Sequence, residues 1–134
     1  MKEEAVRREL AALLEASGAE WTEALGVLRF RLRRDGLCWE TDCRPLPGQA
    51  LFYGRYPFRV KNREAAALVC SCINARVLRG GMFLSREGSM VFRTRAELEE
   101  PWGARGRLAA ALEYNAEVIV HFWAQAAGER FQEG

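Results

Sequence analysis

Apolar and polar positions change their period several times along the chain. Over residues 3–17, Val6, Leu10, Leu13 and Leu14 recur at three- and four-residue spacing among Glu and Arg, which predicts an amphipathic helix stopped by Ser17-Gly18. From Val27 to Arg34 the period falls to two. Leu28, Phe30 and Leu32 share one face and Arg29, Arg31 and Arg33 the other, the pattern of a half-buried strand. Asp35-Gly36 tolerates positive φ and marks a hairpin turn. Leu37 to Cys43 alternates again, with Leu37 and Trp39 on one face and Glu40 and Asp42 on the other. The arginine face of the first strand can therefore lie beside the acidic face of the second, each such pair contributing about 0.2–1 kcal/mol.

Arg44-Pro45-Leu46-Pro47-Gly48 reads as a connector, because two prolines interrupt a hydrogen-bonded ladder. Residues 50–60 form a third strand in which Gly54 and Pro57 mark a bulge or an edge. Asn62 opens a helix as its N-cap, with Glu64 in the first turn. Ala65, Leu68, Val69, Cys72, Ile73 and Val77 form its expected buried side, and Gly80-Gly81 its end. Met82 to Ser85 and Met90 to Arg95 are strands joined by a turn at Glu87-Gly88. Met90 and Phe92 face one way and Arg93 and Arg95 the other. After a polar connector over 97–106, Leu108, Leu112, Asn115, Ile119, Phe122 and Ala126 step by alternating fours and threes along one helix over 105–127. The expected order is α-β-β-β-α-β-β-α, an α+β fold in one domain over 1–134.

Composition adds bounds. A chain of 134 residues with 49% hydrophobic and 28% charged residues can build a core without staples. The net charge of +2 is close to balance, which argues against a dedicated nucleic-acid binder. The N-terminal Met1-Lys2-Glu3-Glu4 is acidic and leads into an amphipathic pattern, unlike a secretory signal. A cytoplasmic location is expected, with no membrane partner.

The helix ending at Ile73-Asn74, the strand Gly81-Met82-Phe83-Leu84, the run from Glu87 through Gly88, Ser89, Met90, Val91, Phe92 and Arg93 to Thr94, and the long closing helix together resemble the YbjN-like proteins. That family shares its fold with the type III secretion chaperones. The resemblance covers residues 62–127; the first half agrees in element order, and the cysteines and Pro101-Trp102 lie outside the pattern. It implies a curved antiparallel sheet packed with helices, type III secretion chaperone-like, often paired as a homodimer and without enzyme activity. The chaperone relatives hold an extended partner segment on exposed apolar surface.

Side chains suited to chemistry are sparse. Cys38 and Cys43 have opposite parity on their strand, and Cys70 and Cys72 point to nearly opposite sides of their helix. Neither pair has C-x-x-C spacing, so four reduced thiols acting as small hydrophobes are expected, ahead of a zinc or redox role. His121 is the only histidine, and no second one exists to complete a histidine-based metal site. No glycine-rich phosphate loop and no nucleophile elbow is present, and no cofactor or metal is expected. The arginine faces offer an RNA- or anion-binding alternative, but Phe30, Trp39 and Phe92 fall on the opposite parity from the arginines, so nucleic acid is not the expected partner. An enzyme using Cys70, Cys72 or His121 is the other alternative.

The favoured expectation is a non-catalytic protein-interaction or chaperone-like module, a homodimer with a polypeptide partner. Phe52, Phe83 and Val91, which break the alternation of their strands, together with Trp102 and Trp123, are the expected partner-binding surface.

Overall fold

A computed structural model describes residues 1–131. The elements run α1 (Glu3–Ala16), β1 (Trp21–Ala24), β2 (Val27–Arg34), β3 (Leu37–Leu46), β4 (Gln49–Arg59), α2 (Arg63–Asn74), β5 (Gly81–Leu84), β6 (Ser89–Glu97), α3 (Ala104–His121) and α4 (Trp123–Ala127). All six strands join one antiparallel sheet in the order β1-β2-β3-β4-β6-β5. The fold is α+β, as the alternation predicts, with one strand more and a break in the last helix.

The additional strand is β1. Only Trp21 of its four residues is even half-buried, so it carries no apolar alternation to read. It pairs with β2 through a turn at Leu25-Gly26, where both residues have positive φ. The supposed connector over 44–48 is a second difference. β3 continues to Leu46, and Pro45 stands opposite Ala50. The β2 ladder ends at Leu28↔Cys43, so Pro45 lies where β3 is flanked on one side only, a place that tolerates a missing N–H. The β4 irregularity is where Gly54 and Pro57 indicate it: the β4–β6 register shifts between Arg55 and Arg59.

The helices pack on one sheet face over two adjoining clusters. Val6, Leu10 and Leu14 of α1 meet Leu28, Phe30, Cys43 and Phe52 in the first. Cys70 and Ile73 of α2 meet Trp39, Tyr56, Met82, Phe92 and Ile119 in the second. Asn115 of α3 sits at the seam, fully buried, donating to the carbonyls of Phe52 (3.3 Å) and Phe92 (2.9 Å) and to Thr94 Oγ1 (3.2 Å). Its side chain approaches the sheet closely at Gly54, where a built Cβ would lie 2.3 Å from Asn115 Oδ1.

Asn62 caps α2 as expected, accepting the Ala65 N–H at 3.0 Å. The buried side of α2, however, is Ala66, Cys70 and Ile73, while Leu68 and Cys72 face outward. This helix is uncharged from Ala65 to Ile73, so no charged residue marks its outward side over that stretch. In this rotation Cys70 and Ile73 join the core cluster with Met82, and the Asn74 side-chain amide bonds both main-chain groups of Met82, tying α2 to β5. The helix stops at Asn74, well before Gly80-Gly81. The closing helix breaks at Phe122 (φ −99°), giving α3 and the short α4.

Candidate functional site

β5 is about half the length of the strand beside it, and that mismatch makes a groove. β5 pairs with β6 only from Gly81↔Arg93 to Leu84↔Met90. Upstream of Gly81 the chain turns away at Gly80, which has a φ of +79° and where a Cβ would lie 2.6 Å from the Arg93 carbonyl oxygen. Thr94 to Glu97 therefore have β4 on one side and a groove of about 710 Å³ on the other. Ala110, Ala111 and Tyr114 of α3 form its apolar wall, and Leu51 its floor toward the open sheet face. Arg79, Arg93, Arg95 and Arg107 also line it, with Glu97 the one acidic residue.

Each of these arginines is held differently. Arg79 lies over the Tyr114 ring at 4.8 Å. Arg95 pairs with Glu97 at 2.8 Å on the same strand face. Arg107 donates to the carbonyls of Glu97, Glu100 and Trp102, tying down the loop before α3. Arg93 has no carboxylate within salt-bridge distance among the described residues. The hydroxyls of the lining are occupied: Thr94 donates to the Ala111 carbonyl at 3.1 Å, and Tyr114 accepts the Leu78 N–H at 3.2 Å.

The sheet face away from the helices continues from this groove. Arg29 stands opposite Asp42, Asp42 opposite Tyr53, and Tyr53 opposite Arg93. Asp42 takes both Arg29 and Arg55 at 2.7 Å, and Glu40 lies 3.6 Å from Arg31, so the expected cross-strand charge pairing is present. Two aromatics do share this face with the arginines. Tyr53 and Phe83 meet edge to face, with centroids 6.5 Å apart. Tyr53 follows a core residue in an unbroken apolar run, so sequence parity does not single it out, whereas Phe83 already stands out by breaking the alternation of its strand. A second recess of about 410 Å³ lies where β3 and β4 separate beyond Glu40↔Arg55, bounded by Cys38, Trp39 and Pro57.

The five residues expected to form a partner surface are scattered. Phe52 is fully buried in the first cluster, because its register opposite Thr94 turns it to the helices; Leu51 and Tyr53 take the open face instead. Val91 is on the open face but 4% exposed. Trp123 packs into an aromatic cluster with Trp39 (6.1 Å), Tyr56 (5.4 Å) and Phe58 (6.0 Å). Phe83 and Trp102 are exposed, at 41% and 82%, on different parts of the molecule.

The thiols are all free. Burial pushes the Cys43 thiol strongly up, with Asp42 adding to the effect, and burial also raises Cys70, so both stay protonated and unreactive at neutral pH. Cys72 points outward from α2. His121 is exposed at the end of α3 with its ring edge against Phe122, and no hydrogen bond joins it to a thiol among the described residues. No group of three or more His, Cys, Asp or Glu is gathered for a metal ion among the described residues. No described helix is long and apolar enough to cross a membrane.

No protein-family model matches the chain, and no curated protein matches it by sequence. Among solved structures it is similar to YbjN of E. coli, described there as "a putative transcription regulator", with a TM-score of 0.64 over 89% of this chain and 92% of that one at 18% identity. The likeness shows that the chain has a YbjN-like α+β fold across nearly its whole length.

Proposed function

We propose that the protein is a non-catalytic protein-interaction module that receives a polypeptide partner in the groove between β6 and α3. The lining of that groove carries the reading: four arginines against one glutamate, set beside an apolar wall of Ala110, Ala111 and Tyr114. A positive, partly apolar recess suits an acidic segment of another chain, since charge complementarity steers encounter and apolar contact retains it. The lining holds no thiol or imidazole and its hydroxyls are already bonded, which favours binding over catalysis.

The direct test is an array of short peptides graded in charge. Wild-type protein is expected to retain acidic members, and the Arg93→Glu/Arg95→Glu double variant, folded by circular dichroism, to lose them. Equal retention by both proteins, or no preference for acidic peptides, would refute the reading.

Homodimer formation is a second proposal, favoured by the outward face of α2. Between Glu64 and Arg76 that helix bears no charge, and Leu68 is 69% exposed, with Leu78 in the following loop 95% exposed. Light scattering should give a dimer mass that Leu68→Glu reduces to a monomer; a monomeric wild type at micromolar concentration would end this reading.

A further inference from the structure

We infer that the groove binds its partner as an added β-strand on β6, in line with β5, and that the partner residue opposite Arg95 is acidic. The inference rests on the proposal that a polypeptide occupies this groove and specifies how it is held.

The backbone of β6 gives the geometry. In an antiparallel ladder the N–H and C=O of one residue point to the same neighbouring strand, and those of the next residue to the opposite one. Asn74 reveals the phase. Its Oδ1 accepts the Met82 N–H at 2.6 Å and its Nδ2 donates to the Met82 carbonyl at 2.9 Å, so the Met82 groups point away from β6. Those of Gly81 and Phe83 then point toward β6, where they meet Arg93 and Val91. The same alternation turns the N–H and C=O of Arg95 to the β5 side. β5 does not reach that far, so both groups open into the groove. The next outward carbonyl, that of Glu97, is taken by Arg107 Nε at 2.8 Å, which closes the far end.

Two treatments of exposed strand edge thus stand side by side. The outer edge of β5 is blocked at Met82 by a side-chain amide that imitates a strand; the edge of β6 at Arg95 is left open beneath a wall of small residues. Sheet edges are ordinarily blunted, because an open one recruits further strands. An open edge inside a basic groove fits strand addition by a partner, in which main-chain bonds hold the segment and alternate side chains select it.

Selection follows from parity. A partner residue opposite Arg95 shares its sheet face and meets Arg93 and Arg95, the first of which has no carboxylate partner among the described residues. Its two neighbours turn to the other face, toward Ala110, Ala111 and Tyr114, where small apolar side chains fit. The expected core of the recognised segment is apolar-acidic-apolar.

The test uses the full chain and a synthetic peptide of alternating valine and glutamate, about seven residues long as an ordinary strand. Arg95→Ala and Arg95→Pro both lose the guanidinium, but only proline also removes the N–H that faces the groove. Arg95→Pro is expected to bind about tenfold more weakly than Arg95→Ala, as for one lost main-chain hydrogen bond. A peptide N-methylated at the central glutamate should lose a similar factor against wild-type protein, which keeps the test open if the proline variant unfolds. Equal binding of the methylated and plain peptides, with the acidic preference kept, would overturn strand addition while leaving groove binding intact. Absence of any acidic-peptide binding would remove both. Equal competition by a single-stranded oligonucleotide of matched charge would show that charge alone governs the site and would also overturn strand addition.

Discussion

Asn115 and Gly54 are coupled across the seam between the two core clusters, and a double-mutant cycle measures that coupling. A Cβ at position 54 would fall 2.3 Å from Asn115 Oδ1 and 3.1 Å from Ile119 Cγ1. Gly54→Ala therefore forces α3 outward or bends the Asn115 amide off its acceptors, and overpacking of this kind costs about 1–3 kcal/mol. Asn115→Ala removes donation to Phe92 O, Phe52 O and Thr94 Oγ1. One amide group offers two N–H donors, so about two hydrogen bonds of roughly 1 kcal/mol each are lost, together with some packing. Part is returned, because Asn115 Oδ1 is a buried acceptor without a protein partner and leaves with the side chain. A net cost of about 1–2 kcal/mol is expected. In the double variant the worst clash is absent, since the shortened side chain at position 115 no longer places an oxygen over residue 54, and only Ile119 must shift. The double variant should be at least about 1 kcal/mol more stable than the sum of the single losses predicts. Urea denaturation at constant m-value reads all four corners of the cycle. Additivity to within about 0.5 kcal/mol would refute the claim that the Asn115 amide is what keeps position 54 glycine.

Other expectations follow from the same contacts. Asn74→Ala frees both main-chain groups of Met82 and should cost about 1–2 kcal/mol in chemical denaturation, with amide exchange at Met82 accelerated ahead of the β6 amides. Gly80→Ala meets both a φ of +79° and a 2.6 Å approach to the Arg93 carbonyl oxygen, and should destabilise by more than about 1 kcal/mol in the same assay. Thiol labelling of native protein should be rapid at outward-facing Cys72 and should reach buried Cys43 and Cys70 only on unfolding; rapid native labelling of Cys43 would contradict its protonated, enclosed state. Burial raises Cys43, Cys70 and Tyr56 above their ordinary values, so the folded form keeps protons that the unfolded form releases. The stability from the two thiols is present below their ordinary value of 9.0 and that from Tyr56 below 10.0, and each falls as pH rises past that value, by up to about 1.4 kcal/mol per pH unit for each group. A Cys43→Ala variant should show a shallower alkaline decline.

Much of the fold is legible in the alternation of β2, β3 and β6, where Leu28, Phe30, Trp39, Met90 and Phe92 turn inward and most outward residues are charged. The Asp35-Gly36 turn and the Asn62 cap are likewise local chemistry, settled by residues within a few positions of one another. β1 is hidden because a short exposed strand buries too little to leave a pattern. The facing of α2 is hidden because no charged residue lies between Glu64 and Arg76 to mark its outward side, and the partners of its buried side, such as Met82, lie beyond the helix in the chain. Phe52 reads as a partner-surface residue because an unbroken apolar run has no parity of its own; only pairing with Thr94 settles its direction. The groove is the least legible feature. It arises from the unequal lengths of β5 and β6 and from Arg79, Arg93, Arg95 and Arg107 converging from three parts of the chain. The sequence shows these as ordinary solvated charges.

Amide hydrogen exchange at Arg95, read residue by residue with and without the alternating acidic peptide, tests the open β6 edge most directly. The Arg95 N–H is expected to exchange fast in the free protein and to slow on saturation with peptide, while the Met82 N–H, already held by Asn74, changes little. Slow exchange at Arg95 before any peptide is added, or an unchanged rate at saturation, would contradict an edge held open for a partner strand.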